Sequence, residues 1–304
     1  MESKDMRYAL VTPARNEEAC IHQTIESVVR QNIRPVKWVI VSDGSTDRTD
    51  EIVGEYVRQH EWMELIRISE PRERNFACKV SCFNRGYEII EGLHCDFVGS
   101  LDADISFGKD YFAFLLSRFS EDPLLGIAGT PFTEEGRSYD YRFTSIAHVS
   151  GACQLFRREC FEAIGGYLPL KGGGIDVMAV IAARAKGWRT RTFTEMTCKH
   201  HRPMGTATNK SRTTVNFRLG QRAYSLGWHP VWQLVRGVYQ MSRPPYVVAG
   251  CALMLGYLWA LVTRADRPIA KELIEFQRHD QMLRLRDFLT VRVRGMRAGK
   301  PLAP

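Results

Sequence analysis

Several familiar short motifs are missing from this 304-residue sequence. No G-x-G-x-x-G follows the first predicted strand, which argues against a dinucleotide-binding enzyme, and no G-x-x-x-x-G-K-[ST] is present to hold phosphates in a P-loop. The eight cysteines include no C-x-x-C pair, and residues 1–7 lack the apolar core of a secretion signal. We therefore expect a chain that works in a reducing, cytoplasmic compartment, with any phosphate held by a metal rather than by a P-loop.

Acidic residues are scarce in the last third of the chain. Residues 205–304 carry 16 Lys or Arg against 5 Asp or Glu, whereas residues 1–204 carry 26 against 29. A basic region of this kind predicts an acidic partner, either anionic lipid or nucleic acid. The region has Tyr and Trp beside aliphatic runs and no nucleic-acid-binding module, so we expect an anionic membrane surface as partner and no nucleic acid.

Strands and helices alternate along the front of the chain. Short apolar runs at residues 38–41 and 97–101 predict buried strands, and stretches with apolar residues at helical spacing lie between such runs. Asn16 is expected to cap the first helix. This alternation is typical of a mostly parallel α/β sheet with helices on both faces, in which the carboxyl ends of the strands face the ligand crevice.

Carboxylates follow two of these predicted strands. Asp102 and Asp104 stand at positions i and i+2 after residues 97–101, and Asp43 ends the second strand. Hard oxygen donors at this place suit Mg²⁺ or Mn²⁺ held jointly with the phosphates of a substrate. The alternatives are that Asp104 only caps a turn and that Asp43-Gly44 is an ordinary turn dipeptide.

Three segments in the same order, residues 12–18, 41–47 and 102–104, resemble the inverting family 2 glycosyltransferases with the GT-A fold. The resemblance covers residues 6–205 and implies transfer of a sugar from a nucleoside diphosphate sugar. It implies that Asp43 reads the base and that Asp104 and Asp102 hold the metal, with Asp102 also touching the ribose. The other residues that it places along the nucleotide pocket are Thr12, Pro13, Ala14, Arg15 and Glu17.

A glycine-rich segment, residues 171–176, ends in a single carboxylate before an apolar helix. Inverting transfer needs a base to take the proton of the acceptor hydroxyl. The family usually has Glu-Asp here and this chain has Ile-Asp, so the resemblance implies Asp176 as the base without its acidic neighbour. The alternative is that Asp176 caps the helix. The acceptor side is expected to include Gly151, Ala152, Cys153 and Gly174.

Two histidines, His200 and His201, lie with Arg202 in a predicted loop that follows the strand expected at residues 189–193. No Cys or His lies at the spacing that would complete a zinc site. The resemblance implies that a histidine here closes over the diphosphate or its metal, and we expect His200 in this role with His201 beside it. A structural role for both is the alternative.

Residues 246–262 form a 17-residue run without a charge, at the short limit for a membrane-spanning helix. We expect a re-entrant or interfacial anchor, with a buried packing helix as the alternative, and residues 273–297 lying on an anionic leaflet. The predicted organisation is a catalytic domain at 1–226, with a donor half at 6–110 and an acceptor half at 111–226. A basic, helical, membrane-associating region at 227–304 follows it.

The sequence Gln221-Arg222-Ala223-Tyr224 departs from the Gln-x-x-Arg-Trp motif of processive polysaccharide synthases. We therefore expect metal-dependent, inverting transfer of a single sugar to the hydroxyl of a saccharide or lipid-linked saccharide, in cell-surface or exopolysaccharide synthesis. The enzyme is expected in the cytoplasm, peripheral or monotopic on the inner face of the cell membrane. The alternatives are a polyprenyl-phosphate sugar synthase and a non-catalytic nucleotide-sugar-binding partner.

Overall fold

The computed structural model describes residues 6–69, 75–134, 145–202, 211–242, 244 and 246–297, the last seven of these by their backbone alone. The chain forms two compact units, Met1–Met204 and Gly205–Pro304. The sequence suggested a division after residue 226 instead. The boundary in the structure lies closer to the N-terminus because the helix at Arg212–Ser225 packs closely against the helix at Val247–Val262, within the second unit.

Short strands run through the whole length of the first unit. In chain order the strands of the described residues are β1 (Tyr8–Ala14), β2 (Lys37–Asp43), β3 (Met63–Ile68), β4 (Phe97–Leu101), β5 (Ile105–Ser106), β6 (Leu125–Gly129), β7 (Phe132–Thr133), β8 (Cys153–Arg157), β9 (Arg189–Thr192) and β10 (Cys198–His200). Seven of them form one sheet in the order β3-β2-β1-β4-β8-β6-β9. Only β8 runs antiparallel to its neighbours, so the prediction of a mostly parallel α/β sheet is confirmed.

A second, three-stranded sheet has the order β5-β10-β7. In it, β10 pairs antiparallel with β5 and parallel with β7. The sequence suggested a loop at the histidine pair, whereas His200 ends a strand and pairs with Ile105. This pairing brings the histidine segment beside the residues that follow β4.

The helices of the first unit that the structure describes are α1 (Ile21–Val29), α2 (Thr49–Val57), α3 (Phe76–Ile90), α4 (Tyr111–Glu121), α5 (Arg158–Ala163) and α6 (Ile175–Ala185). The Asn75 side chain caps α3 by accepting a hydrogen bond from the backbone N–H of Cys78. The prediction that Asn16 caps α1 was wrong, because Cys20 holds that position. Asn16 instead adopts a left-handed backbone, with φ of 57°, and bonds across to the next turn.

Apolar side chains fill both sides of the central strands. Trp38, Ile40 and Leu10 are fully buried in the main core. Thr12 is buried as well, and its hydroxyl accepts a 2.9 Å hydrogen bond from the indole N–H of Trp38. The strands that end at the site are thereby fixed by burial and by a buried polar contact.

The second unit is helical where it is described, with α7 (Arg212–Ser225), α8 (Pro230–Met241), α9 (Val247–Val262) and α10 (Lys271–Arg297). Glycines let α7 and α9 approach closely, since a Cβ at Gly220 would overlap the carbonyl oxygen of Leu253 and one at Gly256 that of Phe217. The uncharged run therefore packs on α7 along one face, as the packing alternative supposed. Within the described ranges, no helix has both the length and the apolarity for a membrane crossing.

Candidate active site

The carboxyl ends of β1, β2 and β4 lie side by side at one edge of the main sheet, because β1 pairs in parallel with both of the other strands. Asp43 is the last residue of β2, and Asp102 directly follows β4. The topology therefore gathers the acidic residues singled out in the sequence at the place where open α/β sheets bind ligands.

The turns after β1 and β2 are joined by hydrogen bonds. The side-chain oxygen of Asn16 accepts from the backbone N–H of Thr46 at 2.8 Å, and the backbone N–H of Asn16 donates to the hydroxyl of Ser45 at 3.2 Å. The backbone N–H of Glu17 donates to the hydroxyl of Thr49 at 2.8 Å. These contacts hold the two turns together at the carboxyl edge of the sheet, in the segment that carries Arg15 and Glu17.

Asp43 is buried, and its two oxygens have different surroundings. Oδ2 lies 3.4 Å from a guanidinium nitrogen of Arg15. Oδ1 is buried without a hydrogen-bond partner among the described residues. A buried, unpaired acceptor is costly, so an N–H donor from a ligand would satisfy an oxygen that the protein leaves free.

Asp102 forms an ion pair through Oδ1 with the ammonium group of Lys79 on α3. Burial and the neighbouring charge of Asp104 raise the pKa of Asp102, although the Lys79 ammonium opposes the rise. Burial would lower the pKa of Lys79, but the charge and hydrogen bond of Asp102, followed by the charges of Asp176 and Asp104, raise it above its ordinary value. One ammonium group thus interacts with three carboxylates of the site.

Asp104 is also buried, and nitrogen atoms of two side chains meet its Oδ2. A guanidinium nitrogen of Arg202 lies 3.0 Å away and Nε2 of His200 lies 3.4 Å away. Burial alone would raise the pKa of Asp104. The hydrogen bond and charge of His200, with the charges of Arg202 and Lys79, hold it below its ordinary value, so this carboxylate stays ionised.

The histidine segment is fixed by further contacts. Nδ1 of His200 lies 3.0 Å from a carboxylate oxygen of Glu134, and burial of the ring, which would lower its pKa, is outweighed by the two acidic partners. Nε2 of His201 lies 2.8 Å from the hydroxyl of Ser106 on β5. Arg202 extends the network by bonding Glu17 at 2.8 Å. The turn after β1 and the acidic pair after β4 are therefore connected through one guanidinium group.

Asp176 stands in the first turn of α6, behind a cap at Gly174. Gly174 has φ of 89°, a backbone conformation that residues other than glycine rarely adopt. Oδ2 of Asp176 accepts a 3.3 Å hydrogen bond from the backbone N–H of Gly151, where a Cβ would lie only 3.1 Å from the Asp176 side chain. Gly174, and not Asp176, holds the N-cap position of α6. The Asp176 carboxylate faces Gly151 instead, and its charge raises the pKa of Lys79.

Other predicted site residues are held by the protein core. Ala14, Ala152 and Cys153 are buried, and burial strongly raises the pKa of the Cys153 thiol. The carbonyl of Ala152 accepts a hydrogen bond from the backbone N–H of Asp102 at 2.9 Å. Pro13 is half-buried at the end of β1. The side chain of Cys153 thus lies within the core, and Ala152 fixes the backbone of the acidic pair.

The acidic pair has the chemistry of a magnesium or manganese site that is completed by a substrate. Each of Asp102 and Asp104 has a carboxylate oxygen beyond the one in the contacts above, and carboxylate oxygens are the ligands that these cations prefer. Among the described residues, no group of three or more His, Cys, Asp or Glu could hold a metal ion by itself. The residues therefore fit a cation that takes its remaining ligands from phosphates and water.

Sequence reasoning missed two side chains of this network, Lys79 and Glu134. Lys79 follows Cys78 on an amphipathic helix, where a lysine is ordinarily a surface residue. Its only signal was its place one turn into a helix that packs on β1 and β2. Glu134 follows a strand of two residues, too short to recognise from a pattern.

Residues 9–161 match the sequence model described as Glycosyl transferase family 2. Among curated proteins, the poly-beta-1,6-N-acetyl-D-glucosamine synthase of Staphylococcus epidermidis is 27% identical over 249 residues, which cover 81% of this chain and 55% of that protein. The enzyme of the same name from Staphylococcus aureus strain COL is 27% identical over 136 residues, covering 44% of this chain and 31% of that protein. The chain spans about half or less of the length of these relatives.

Solved structures show the same fold. The mannosyltransferase PcManGT from Pyrobaculum calidifontis, in complex with GDP-Man and Mn²⁺, is 18% identical, with a TM-score of 0.57 over 93% of this chain and 82% of that one. Residues 1–349 of S. aureus TarS in complex with UDP-GlcNAc are 14% identical, with a TM-score of 0.53 over 97% of this chain and 93% of that one. At these identities the likeness shows the fold, and it is the GT-A fold that the sequence predicted.

Proposed function

Because the chain belongs to glycosyl transferase family 2, we propose that it transfers a single sugar, with inversion, from a nucleoside diphosphate sugar to an acceptor hydroxyl. That the protein is a glycosyltransferase follows from its family. The finer proposal concerns the metal, the base, the number of sugars transferred and the acceptor.

The observation that carries the proposal is the proximity of the Asp102–Asp104 pair to Asp176: the backbone N–H of Asp102 donates to the carbonyl of Ala152 at 2.9 Å, and the backbone N–H of the adjacent Gly151 donates to Oδ2 of Asp176 at 3.3 Å. The first two carboxylates follow a strand of the donor half, and the third begins a helix of the acceptor half. A transferase needs groups for the departing diphosphate and a base for the attacking hydroxyl within one crevice. These contacts to two adjacent residues support the action of both kinds of group at one site.

The donor half would bind the nucleotide along the joined turns after β1 and β2. The unpaired Oδ1 of Asp43 is a suitable acceptor for an N–H of the base. Arg15, Glu17 and the backbone of residues 12–14 would line the same pocket, since the turn that carries them adjoins Asp43. Asp102 would also touch the ribose. His200 and Arg202, already held at Asp104, would face the diphosphate, with His201 beside them.

Asp104 and Asp102 would hold Mg²⁺ or Mn²⁺ together with the donor's phosphates. The structural relative from P. calidifontis was solved with Mn²⁺. A bound divalent cation supplies electrostatic stabilisation of the negative charge that develops on the diphosphate. In this chain, Arg202 contributes positive charge to the same place, and His200 adds to it when its ring is protonated.

The acceptor half supplies the base. The hydroxyl oxygen of the acceptor would form the new bond to the anomeric carbon of the sugar, while its proton passes to the Asp176 carboxylate. The bond from the anomeric carbon to the diphosphate oxygen would break, and its electron pair would leave with the nucleoside diphosphate. Gly151 would let the backbone lie against Asp176, since a Cβ there would come within 3.1 Å of that side chain, and Gly174 would begin the helix that carries the base. The buried Ala152 and Cys153 would form the wall behind them on the acceptor side.

The acceptor is proposed to be a saccharide or a lipid-linked saccharide in cell-surface or exopolysaccharide synthesis. Two curated relatives are polysaccharide synthases by name, and the basic second unit suits an anionic membrane. The enzyme would work from the cytoplasm, peripheral or monotopic on the inner face of the cell membrane. Transfer of one sugar rather than many rests on the departure from Gln-x-x-Arg-Trp at residues 221–224.

Release of nucleoside diphosphate tests the donor half. The purified protein would be incubated with a panel of UDP-, GDP- and dTDP-sugars that includes UDP-GlcNAc and GDP-Man, with Mn²⁺, Mg²⁺ or EDTA. We expect release from one donor, abolished by EDTA and by Asp104→Ala. Binding of the same panel would be measured by calorimetry. Absence of metal-dependent binding for every donor would refute the roles given to Asp43, Asp102 and Asp104.

Asp176→Asn tests the base once a donor and a lipid-extract acceptor are found. With a hydroxyl acceptor we expect kcat to fall by about 10²–10⁴-fold, the usual contribution of a general base, while donor affinity stays within a factor of two or so. A polyprenyl-phosphate acceptor is already ionised and would need no strong base. A loss of kcat below tenfold or so would therefore contradict the hydroxyl acceptor and favour the phosphate acceptor.

A further inference from the structure

The second unit presents apolar side chains to solvent on two of its helices. On α9, the exposed apolar residues recur at helical spacing over its second half, and include Leu258 (51% exposed), Trp259 (58%) and Val262 (79%). On α8, Leu234 (54%) and Val238 (58%) lie on one face, four residues apart. Exposed apolar side chains that recur along helix faces, unlike scattered single ones, indicate an interaction surface.

These faces are not needed for the packing of the unit. The opposite side of α9 is buried against α7 and α8, where glycines bring the backbones into contact. On α8, Gly237 lies against Met254 of α9, and Gln233 is buried with it. The apolar residues on the outer faces therefore have a role other than filling the core.

The charge of the region around α8 and α9 indicates what kind of partner these faces bind. Residues 205–265, which include α7, α8 and α9, contain seven Lys or Arg and no Asp or Glu. Arg236 on α8 is largely buried with its guanidinium group over the ring of Trp228, at 4.7 Å from the ring centre, and burial lowers its pKa to about 10. Apolar faces within a stretch that carries only positive charge match a surface of acyl chains bordered by anionic headgroups.

A second copy of the chain is the other occupant to consider. A symmetric dimer through these faces would place the same carboxylate-free stretch of one copy against that of the other. Like charges across an interface oppose association. The charge therefore favours a lipid surface over self-association.

We propose that the outer faces of α8 and α9 form a docking surface for anionic membranes, with Leu234, Val238, Leu258, Trp259 and Val262 entering the interfacial layer. We call this surface the α8–α9 face. It would bind the anionic membrane that the proposed function names as a partner, and its link to sugar transfer rests on that proposed function. Binding to lipid itself requires neither donor nor catalysis.

Vesicle flotation with the full chain tests the α8–α9 face. The vesicles would be phosphatidylcholine alone, or phosphatidylcholine with about one-third phosphatidylglycerol, so that the second type is anionic. We expect at least about tenfold stronger partitioning to the anionic vesicles, weakened by high salt. The triple variant Leu234→Gln, Leu258→Gln and Val262→Gln should lower partitioning to anionic vesicles by at least about tenfold, because it removes apolar area that enters the layer.

The matched control changes similarly exposed apolar residues of the first unit, Leu124→Gln (52% exposed) with Ile146→Gln (48%). This variant should bind vesicles as the unchanged protein does. Brominated lipids should quench tryptophan emission of the unchanged protein more than that of Trp259→Phe. Circular dichroism of each variant would show that the helices are retained.

Three results would overturn the inference: no partitioning of the unchanged protein to anionic vesicles, equal partitioning of the triple variant, or a dimer in light scattering that the triple variant alone dissociates. The last result would assign the α8–α9 face to a second copy. Nucleoside diphosphate release in the absence of vesicles is measured separately. Loss of lipid binding with donor release intact, or the reverse, therefore tells which of the two proposals has failed.

Discussion

Replacing Lys79 by Met should expose how strongly the site depends on its ion pair with Asp102. The two side chains are 27% and 25% exposed, so the pair is mostly buried. Removing one partner of a fully buried pair costs about 3–5 kcal/mol, because the other charge is left unpaired, whereas exposed pairs contribute about 0–1 kcal/mol. A pair that is three-quarters buried should lie between these limits, and we expect Lys79→Met to lower the free energy of unfolding by about 2 kcal/mol.

The measurement is urea unfolding in the presence of EDTA, so that no metal contributes. With a slope of about 2 kcal/mol per molar urea, the unfolding midpoint should fall by about 1 M. Arg85→Met is the matched control, since Arg85 lies on the same helix and its pair with Glu88 is 63% and 57% exposed. It should leave the midpoint almost unchanged.

A double-mutant cycle separates the ion pair from the loss of lysine packing. In Asp102→Asn the unpaired carboxylate is gone, so adding Lys79→Met to it should cost much less than in the unchanged protein. We expect a coupling energy of about 1.5–2 kcal/mol. A coupling energy below about 0.5 kcal/mol would refute the reasoning, because the cost of Lys79→Met would then come from packing rather than from the stranded charge.

Two further predictions concern local stability. Burial would raise the pKa of Asp47, but hydrogen bonds led by those of Thr49 hold that pKa below its ordinary value of 3.8. The ionised carboxylate therefore stabilises the fold at pH values above 3.8, and this stabilisation is lost as the pH falls through the lowered pKa of the folded state. Asp47→Ala should therefore cost about 1 kcal/mol at pH 7 and less at pH 3 in urea unfolding, and an equal cost at both would contradict the pKa direction. Gly220→Ala should destabilise the second unit by about 3 kcal/mol, since its Cβ would overlap the carbonyl of Leu253. Gly92→Ala, with open space at its Cβ, is the control, and similar melting of the two variants by circular dichroism would count against the close packing.

Most of the main sheet could be predicted from the sequence because buried parallel strands are short apolar runs with turn residues at their ends. The strand predicted at residues 97–101 has those bounds in the structure, and the uncharged run at 246–262 corresponds to α9 at Val247–Val262. The acidic residues at the strand ends could be found for the same reason. Their position follows from the topology once the strands are assigned.

The small sheet and its consequences could not be predicted in the same way. Strands β5 and β7 have two residues each, and a pattern needs more residues than that to be recognised. Yet these strands fix β10, and with it the contact of His200 with Asp104 and Glu134. Asn16 was misassigned because it forms a contact with Thr46, 30 residues away, that competes with the helix-capping role.

The contact between Arg202 and Glu17 joins residues that lie 185 positions apart, and it bears on how the enzyme is made in the cell. At about 5–20 residues per second, a ribosome adds Arg202 roughly ten to forty seconds after Glu17. Until then the growing chain carries the acidic residues of the site without the guanidinium group that connects them. Donor binding at the proposed site should therefore be complete only after Arg202 has been added to the chain.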